Sequence, residues 1–326
     1  MRVLVTGGAG YVGAVSVEAL LAAGHRVVVL DDLSTGHAGA VPAEATLVRG
    51  SYADGAAVHD LLERERVDAI LHCAARSLVG ESMREPARYY RDNVAGGVAL
   101  LEAAREAGVG RVVFSSTAAV YGVPDATPIP EDAPLRPINP YGETKRTFEG
   151  ALRWYGVAYG FRSVVLRYFN VAGASERTGE VHRPETHLVP NALIAFEGGP
   201  PLTLFGDDYP TPDGTPIRDY LHVADLADAH LAALEATAEE GTSLVVNLGT
   251  AHGFSVRDVL RAAEAVVGRP VPLTVGPRRA GDPPVLVASN ERALETLRWT
   301  PRRSTLEDMI GSAWAWRRTH PEGYGD

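Results

Sequence analysis

Tyr141 and Lys145, in the run Asn139-Pro140-Tyr141-Gly142-Glu143-Thr144-Lys145, put a phenol and an ammonium four residues apart, on one face of a helix and within reach of each other. Together they can move a proton. A phenol with an ordinary pKa of about 10 is a poor base at neutral pH, and bringing it to about 7 takes roughly 4 kcal/mol of preference for the phenolate. A neighbouring cation supplies that preference. Shortly before the pair, the apolar run Arg111 to Phe114 opens into Ser115-Ser116-Thr117-Ala118-Ala119. Small hydroxyls at such a place commonly satisfy local backbone groups. Beside the phenol, one of them can also bridge it to an alcohol.

Taking hydrogen from an alcohol carbon requires a hydride acceptor, and the N-terminus has the pattern of a dinucleotide cradle. The apolar run Met1 to Thr6 breaks into Gly7, Gly10 and Gly13 and then into a helical stretch from Ala14 to Ala23. Without a Cβ, the glycines let the backbone approach a pyrophosphate seated on the N-terminal amides of the following helix. A second strand, Arg26 to Leu30, ends in Asp31 and Asp32. An acid about 20 residues past the glycines accepts hydrogen bonds from an adenosine ribose and repels a 2′-phosphate, so NAD is expected over NADP. The phenol would take the alcohol proton, a hydroxyl would share it, and the dinucleotide would take the hydride.

These groups need a scaffold that gathers them, and the remaining pattern supplies one. Strands are expected at Thr46 to Arg49, Ala69 to Cys73, Arg111 to Ser115 and Ser163 to Tyr168, with helices near Asp54 to Arg64, Arg84 to Ala107 and Tyr141 to Tyr159. That alternation predicts an α/β fold, a doubly wound parallel sheet whose ligands bind beyond the strand C-termini. Gly7, Asp31, Cys73, Ser115 and Tyr168 fall on that edge. From about residue 171 the alternation loosens into Pro/Gly-rich stretches. Residues 1–171 therefore read as a cofactor-binding domain and residues 172–326 as a smaller α/β substrate region. The chain is expected to return to the main sheet around 219–249, through a strand at Ser243 to Leu248.

The 326 residues are 45% hydrophobic and 22% charged, with a net charge of −10, ordinary for a globular chain with an ample core. Net negative charge opposes non-specific nucleic-acid binding, which needs clustered lysine and arginine. An anionic ligand must then be held by local arginines. No leader-like apolar segment and no membrane-length apolar run is present, so no membrane association and a cytoplasmic location are expected. The single cysteine, Cys73, closes an apolar strand and reads as a small buried hydrophobe. Asp219, His222, Asp225, Asp228 and His230 crowd one stretch without zinc-type spacing, and Asp225 is placed to open a helix over Leu226 to Leu234. No metal is expected there.

The chain resembles the extended short-chain dehydrogenase/reductase family and, within it, the UDP-glucose 4-epimerases. The likeness runs nearly end to end. It includes Asp31-Asp32-Leu33-Ser34-Thr35-Gly36-His37, Asp92-Asn93-Val94, Leu166-Arg167-Tyr168-Phe169-Asn170, Glu185-Thr186-His187-Leu188-Val189-Pro190, Arg218-Asp219-Tyr220-Leu221-His222-Val223 and Pro277-Arg278-Arg279-Ala280-Gly281-Asp282. The resemblance implies a Rossmann-type sheet, bound NAD and reversible inversion at C4 of a UDP-hexose through a 4-keto sugar that turns over and takes the hydride back. Tyr141, Lys145 and Thr117, the last in place of the family's serine, would be the catalytic residues. Around the cofactor the resemblance implies Gly7, Gly10, Tyr11, Val12 and Gly13 at the turn, Asp31, Asp32, Leu33, Ser34, Thr35 and Gly36 at the adenosine ribose, and Ser51 and Tyr52 near adenine. Cys73, Ala74, Ala75, Ser77, Asn93, Ser115 and Phe169 would complete that cleft. Asn170, His187, Leu188, Phe205, Tyr220 and Asp282 would line the substrate pocket, with Arg218 and Arg279 on the diphosphate. A homodimer through a helix bundle is also implied, with the helices carrying Tyr89 and Phe148 contributing.

Relatives that eliminate water follow the threonine with Asp-Glu, and decarboxylases place a glutamate where Ala119 stands. Here Ala118 and Ala119 follow Thr117, and alanine carries no proton. A nucleotide-sugar reductase that releases its cofactor and a non-catalytic NAD-binding scaffold are the other rivals. Three departures from the family pattern bear on ligands. Gly13-Ala14-Val15 replaces Gly-Ser-His and predicts a looser hold on the cofactor phosphates, and Ser51 replaces an acid near adenine. Leu286 stands where relatives carry a restricting tyrosine or a smaller residue, so turnover of UDP-glucose and UDP-galactose is expected, and of UDP-N-acetyl sugars partial turnover at best. A uronic acid or pentose substrate stays open, and Arg183 could meet a carboxylate.

Overall fold

The computed structural model describes residues 1–278 and 282–325. Strands β1 (Arg2–Thr6), β2 (Arg26–Asp31), β3 (Thr46–Arg49), β4 (Ala69–His72), β5 (Arg111–Thr117) and β6 (Arg162–Tyr168) come first. They are followed by β7 (Asn170–Ala172), β8 (Leu202–Phe205), β9 (Ile217–His222), β10 (Ser243–Leu248), β11 (Gly253–Ser255), β12 (Leu273–Gly276) and β13 (Val285–Leu286). The first six join β10 in a parallel seven-stranded sheet of order β10-β6-β5-β4-β1-β2-β3. Near-continuous Val, Ile and Leu in these strands demand cover on both faces.

Helices supply the cover: α1 (Tyr11–Ala22), α2 (Gly55–Glu65), α3 (Val79–Arg84), α4 (Pro86–Tyr89), α5 (Gly97–Glu106), α6 (Pro140–Tyr159), α7 (Leu188–Phe196), α8 (Val223–Ala236), α9 (Val256–Val267), α10 (Glu291–Leu297) and α11 (Leu306–Thr319). Side chains alternate across the sheet with period two. Val3, Val5 and Leu71 pack with Val17 of α1 and Leu226 of α8, while Leu4, Ile70 and Phe114 pack with Leu61, Leu101 and Phe148 of α2, α5 and α6. A second sheet centres on β9, which pairs with β7, β11 and β13. Its apolar cover comes from α7, α9 and α11 through residues such as Leu193, Val259 and Ile310.

Two expectations change here, and the burial of two aromatic side chains adds detail to a third. The helix expected over Arg84 to Ala107 starts only at Pro86, which has no amide to continue α3, and then runs on through α4, a π-helical segment Tyr90–Gly96 and α5. Of the return around 219–249, the first strand, β9, belongs to the small sheet, and only α8 and β10 rejoin the large one. Tyr89 and Phe148 are buried, at 0% and 1% exposure, and face the core rather than an outer helix face.

Candidate active site

The order of the large sheet reverses between β1 and β4, which opens a crevice beyond their C-termini. Strand β5 delivers Thr117 to the same edge, and α6 starts beside it. Asn139 caps α6 by accepting from the Gly142 amide at 2.8 Å, with Pro140 in the first turn. A Cβ on Gly142 would stand 2.5 Å from the Ala119 carbonyl oxygen, so only glycine lets the helix lie against the turn after β5. That approach sets Tyr141 beside Thr117 in the wall of one cavity, where the threonine side chain favours the phenolate. One helical turn on, the buried Lys145 donates from Nζ to the Ser115 carbonyl oxygen at 2.7 Å, with Nζ 4.6 Å from the centre of the Phe114 ring.

The electrostatics correct the sequence-based expectation. Burial pushes the Tyr141 phenol up to about 12, and the Thr117 side chain only partly offsets it. Burial pulls Lys145 down to about 8, against the attraction of Cys73 and Glu149. Among the protein's own groups, desolvation therefore outweighs the pull of the ammonium on the phenol.

A single cavity of about 1130 Å³ joins these residues to the rest of the crevice. Gly7, Gly10, Tyr11, Val12, Gly13, Asp31, Asp32, Ser34, Thr35, Gly36, Ser51, Tyr52, Cys73, Ala74, Ala75, Ser77, Thr117, Tyr141, Lys145 and Phe169 line it, as do Asn170, His187, Leu188, Tyr220, Asp282 and Leu286. Gly7 sits at φ +72°, and a Cβ there would lie 2.6 Å from the Ala74 amide nitrogen. That open, amide-lined turn at the start of α1 fits a pyrophosphate. Asp31 spends one lone pair of each oxygen on the turn itself, accepting from Ala9 N at 3.0 Å and Leu33 N at 2.9 Å.

Several sequence-derived candidates lie behind or away from the wall. Leu33 donates to Asp31 and is not a lining residue. Asn93 is buried and holds the loop after β4 to α6, through Arg76 N (2.8 Å), the Arg76 carbonyl (3.0 Å) and Thr144 Oγ1 (3.1 Å). Ser115, also buried, bonds Cys73 Sγ at 3.3 Å and His230 Nε2 at 2.9 Å. Burial pulls His230 down to about 4, so it serves as a neutral tie between α8 and β5. Phe205 lies on β8, outside the lining. Arg218 is buried, and its Nη2 donates to Asp282 Oδ1 at 2.5 Å and to the Pro283 carbonyl at 2.7 Å. It holds the segment that carries Asp282 rather than lining the cavity itself. Arg279 lies outside the described residues. Ala14 and Val15 are buried, Val15 against Val223 and Ala227, so the departure after Gly13 serves α1–α8 packing and leaves the cavity lining unchanged.

The crowded acids and histidines at 219–230 separate into structural roles. Asp219 accepts from Thr250 N and Ala288 N, His222 Nδ1 accepts from Ala224 N, and Asp225 accepts from Arg302 N and Arg303 N. Arg76, within the run Cys73 to Ser77 expected at the cofactor cleft, faces the cavity, and sequence reasoning missed Glu81, Asp92, Glu180 and His182, which face it too. Arg76, Glu180 and His182 lie on loops and Glu81 in the short α3, none with a periodic signal, while Asp92 lies in the π-helical segment; only the nearby His187 and Arg183 hinted at Glu180 and His182. Ala118 and Ala119 line the wall beside Tyr141, so methyls stand where an elimination would need an acid and a base.

Comparison with known proteins agrees with this geometry. The NAD dependent epimerase/dehydratase family matches residues 3–249. A UDP-glucose 4-epimerase of Lactobacillus helveticus is 49% identical over 329 residues, spanning 100% of both chains, and one of Streptomyces lividans is 48% identical, spanning 100% of this chain and 98% of that one. The crystal structure of the Brucella ovis UDP-glucose 4-epimerase in complex with NAD superposes with a TM-score of 0.94 at 46% identity, covering 96% of this chain and 97% of that one. That of Bifidobacterium longum, in complex with NAD+ and UDP, gives 0.94 at 36% identity over 99% and 100%. The chain belongs to the NAD dependent epimerase/dehydratase family, in its UDP-glucose 4-epimerase branch.

Proposed function

We propose that this protein interconverts UDP-glucose and UDP-galactose by inversion at C4, with NAD held on the glycine turn. The observation that carries this reading is the gathering of Tyr141, Thr117 and Lys145 in one cavity continuous from Asp31 to Asp282 and Leu286. NAD, when bound, supplies the hydride acceptor and a positive charge that favours the phenolate. Tyr141 takes the C4 hydroxyl proton, and Thr117, on the same cavity wall, bridges the phenol to the sugar oxygen. Lys145, buried behind the pair, keeps positive potential on the phenol side of the cleft. After the keto sugar turns over, the Tyr141 phenol returns its proton to the C4 oxygen while the opposite face of C4 takes back the hydride, so no cosubstrate is consumed. Residues 170, 187, 188, 220 and 282 form the side of the cavity on which the sugar nucleotide is held, with Arg218 fixing Asp282.

The same reading includes a cytoplasmic enzyme of galactose metabolism acting as a homodimer. No described helix is long and apolar enough to cross a membrane. Tyr90, Val98, Trp154, Val157 and Tyr159 leave apolar surface exposed on α5, α6 and the segment before α5, which supports pairing through those helices in place of the buried Tyr89 and Phe148. Incubating the purified protein with UDP-galactose and no added NAD tests the activity. UDP-glucose should form; a reductase gives no product until cofactor is added, and a scaffold gives none with it.

A further inference from the structure

Between β7 and α7 the chain reads Glu180-x-His182-x-x-Glu185-x-His187, and the loop folds these four side chains onto one point. One donor atom from each lies within 4.8 Å of the other three. Both imidazoles present the same nitrogen: His182 Nδ1 stands 3.3 Å from Glu180 Oε1 and 3.7 Å from Glu185 Oε2, and His187 Nδ1 stands 3.8 Å from Glu185 Oε1 and touches Glu180 Oε1. Two ligand atoms about 2 Å from a tetrahedral zinc ion are about 3.3 Å apart. These spacings are therefore already close to those of a coordination shell. The carboxylates are the buried half of the cluster, at 6% and 8% side-chain exposure, while His187 is half exposed, so a cation has a way in from the cavity.

We propose that Glu180, His182, Glu185 and His187 bind a divalent transition-metal ion of the zinc class. Two nitrogen and two carboxylate donors suit Zn2+ and Co2+ and disfavour Mg2+ and Ca2+, which take oxygen ligands. The ion fixes the loop from residue 173 to residue 187 as part of the cavity rim, since Glu180, His182 and His187 all line the cavity. This role is one of positioning and does not depend on which sugar nucleotide is turned over. A His–carboxylate ion-pair network is the competing account of the same contacts. It predicts no metal affinity above that of an ordinary surface histidine such as His59, which stands beside Asp60 and Glu63 at 3.7 and 3.9 Å.

The test uses the full chain stripped with a chelator and titrated calorimetrically with Zn2+ alone. One ion per chain is expected, with Mg2+ in excess failing to compete. His182→Gln and Glu185→Gln should each weaken binding by at least roughly tenfold, and His59→Gln should leave it unchanged. Co2+ added to the native chain should give the intense visible absorption of a tetrahedral site, a readout independent of whether the variants fold. Absence of stoichiometric Zn2+ binding overturns the proposal. So does binding that survives His182→Gln in a folded variant, or a weak octahedral Co2+ spectrum.

Discussion

The wall of the cavity that follows the seven-stranded sheet and the wall facing it are made of different material. On the sheet side, Gly7, Gly10 and Gly13 expose backbone, Asp31 is tied to two amides, and Lys145 and Ser115 are locked behind Tyr141. Opposite, Asn170 and Tyr220 are register partners on β7 and β9, while His187 and Asp282 come from loop segments held by side-chain pairs such as Glu180–His187 and Arg218–Asp282. The first wall has little freedom to move without breaking the sheet. The loop segments of the second, with His187 and Asp282, can shift by changing side-chain partners. An enzyme that must keep its dinucleotide through a cycle, yet let a keto sugar rotate, needs this division between a fixed side and a yielding one.

Substitutions on the two walls should therefore fail in different ways. Tyr141→Phe removes the proton acceptor with little volume, so kcat should fall by about three orders of magnitude while UDP affinity, a property of the other wall, holds. Steady-state kinetics with UDP titration checks both. Gly13→Ala puts a Cβ 2.1 Å from the Gly7 carbonyl oxygen, and the turn has no flexible side chain to yield. We expect a stability loss of about 2–4 kcal/mol and loss of copurifying NAD, read by denaturant melts and by absorbance of the extracted cofactor. If NAD retention survived, the rigid side would be less rigid than described.

Lys145 offers a third probe, through pH. Its folded pKa of about 8 lies below its ordinary 10.5 because of burial, so between these values the folded chain holds fewer protons than the unfolded one. Stability should rise as pH climbs through that window, with the full penalty for the buried ammonium present below it. Lys145→Met should flatten this rise, by on the order of 1–2 kcal/mol across the window, in paired melts at pH 7.5 and 10. The smallest effect is expected on the yielding side. Leu286→Ala opens the sugar end of the cavity and should shift relative kcat/KM toward UDP-N-acetylglucosamine by roughly tenfold, with turnover of UDP-glucose altered less.

The same contrast explains what could be read before any coordinates. The glycine turn, β1, α1, β2 and the Tyr141–Lys145 helix are local: each is written in a short run of residues whose periodicity and caps decide its shape. Arg84 to Ala107 looked like one helix because its apolar spacing is helical, while the later start depends on Pro86 and the π-helical segment on packing against loops distant in sequence. The inward roles of Asn93, Ser115 and Arg218, and the burial of Tyr89 and Phe148, arise from partners 11 to 115 residues away. So does the dominance of desolvation over the lysine's pull on the phenol, since no spacing rule reports how dry a cleft is. The Glu180–His187 cluster was illegible for a related reason: Glu185-Thr186-His187 reads only as part of the family pattern, and no period ties it to Glu180 and His182 until folding closes the loop.

The central claim is that the hydrogen leaving C4 is kept within the cavity and returned to the same carbon. Mixing the protein with UDP-galactose carrying deuterium at C4, in ordinary water, measures this directly. The account predicts transient reduced-nicotinamide absorbance and UDP-glucose that retains the deuterium at C4. Deuterium lost to solvent, with no reduced nicotinamide seen during turnover, would contradict it.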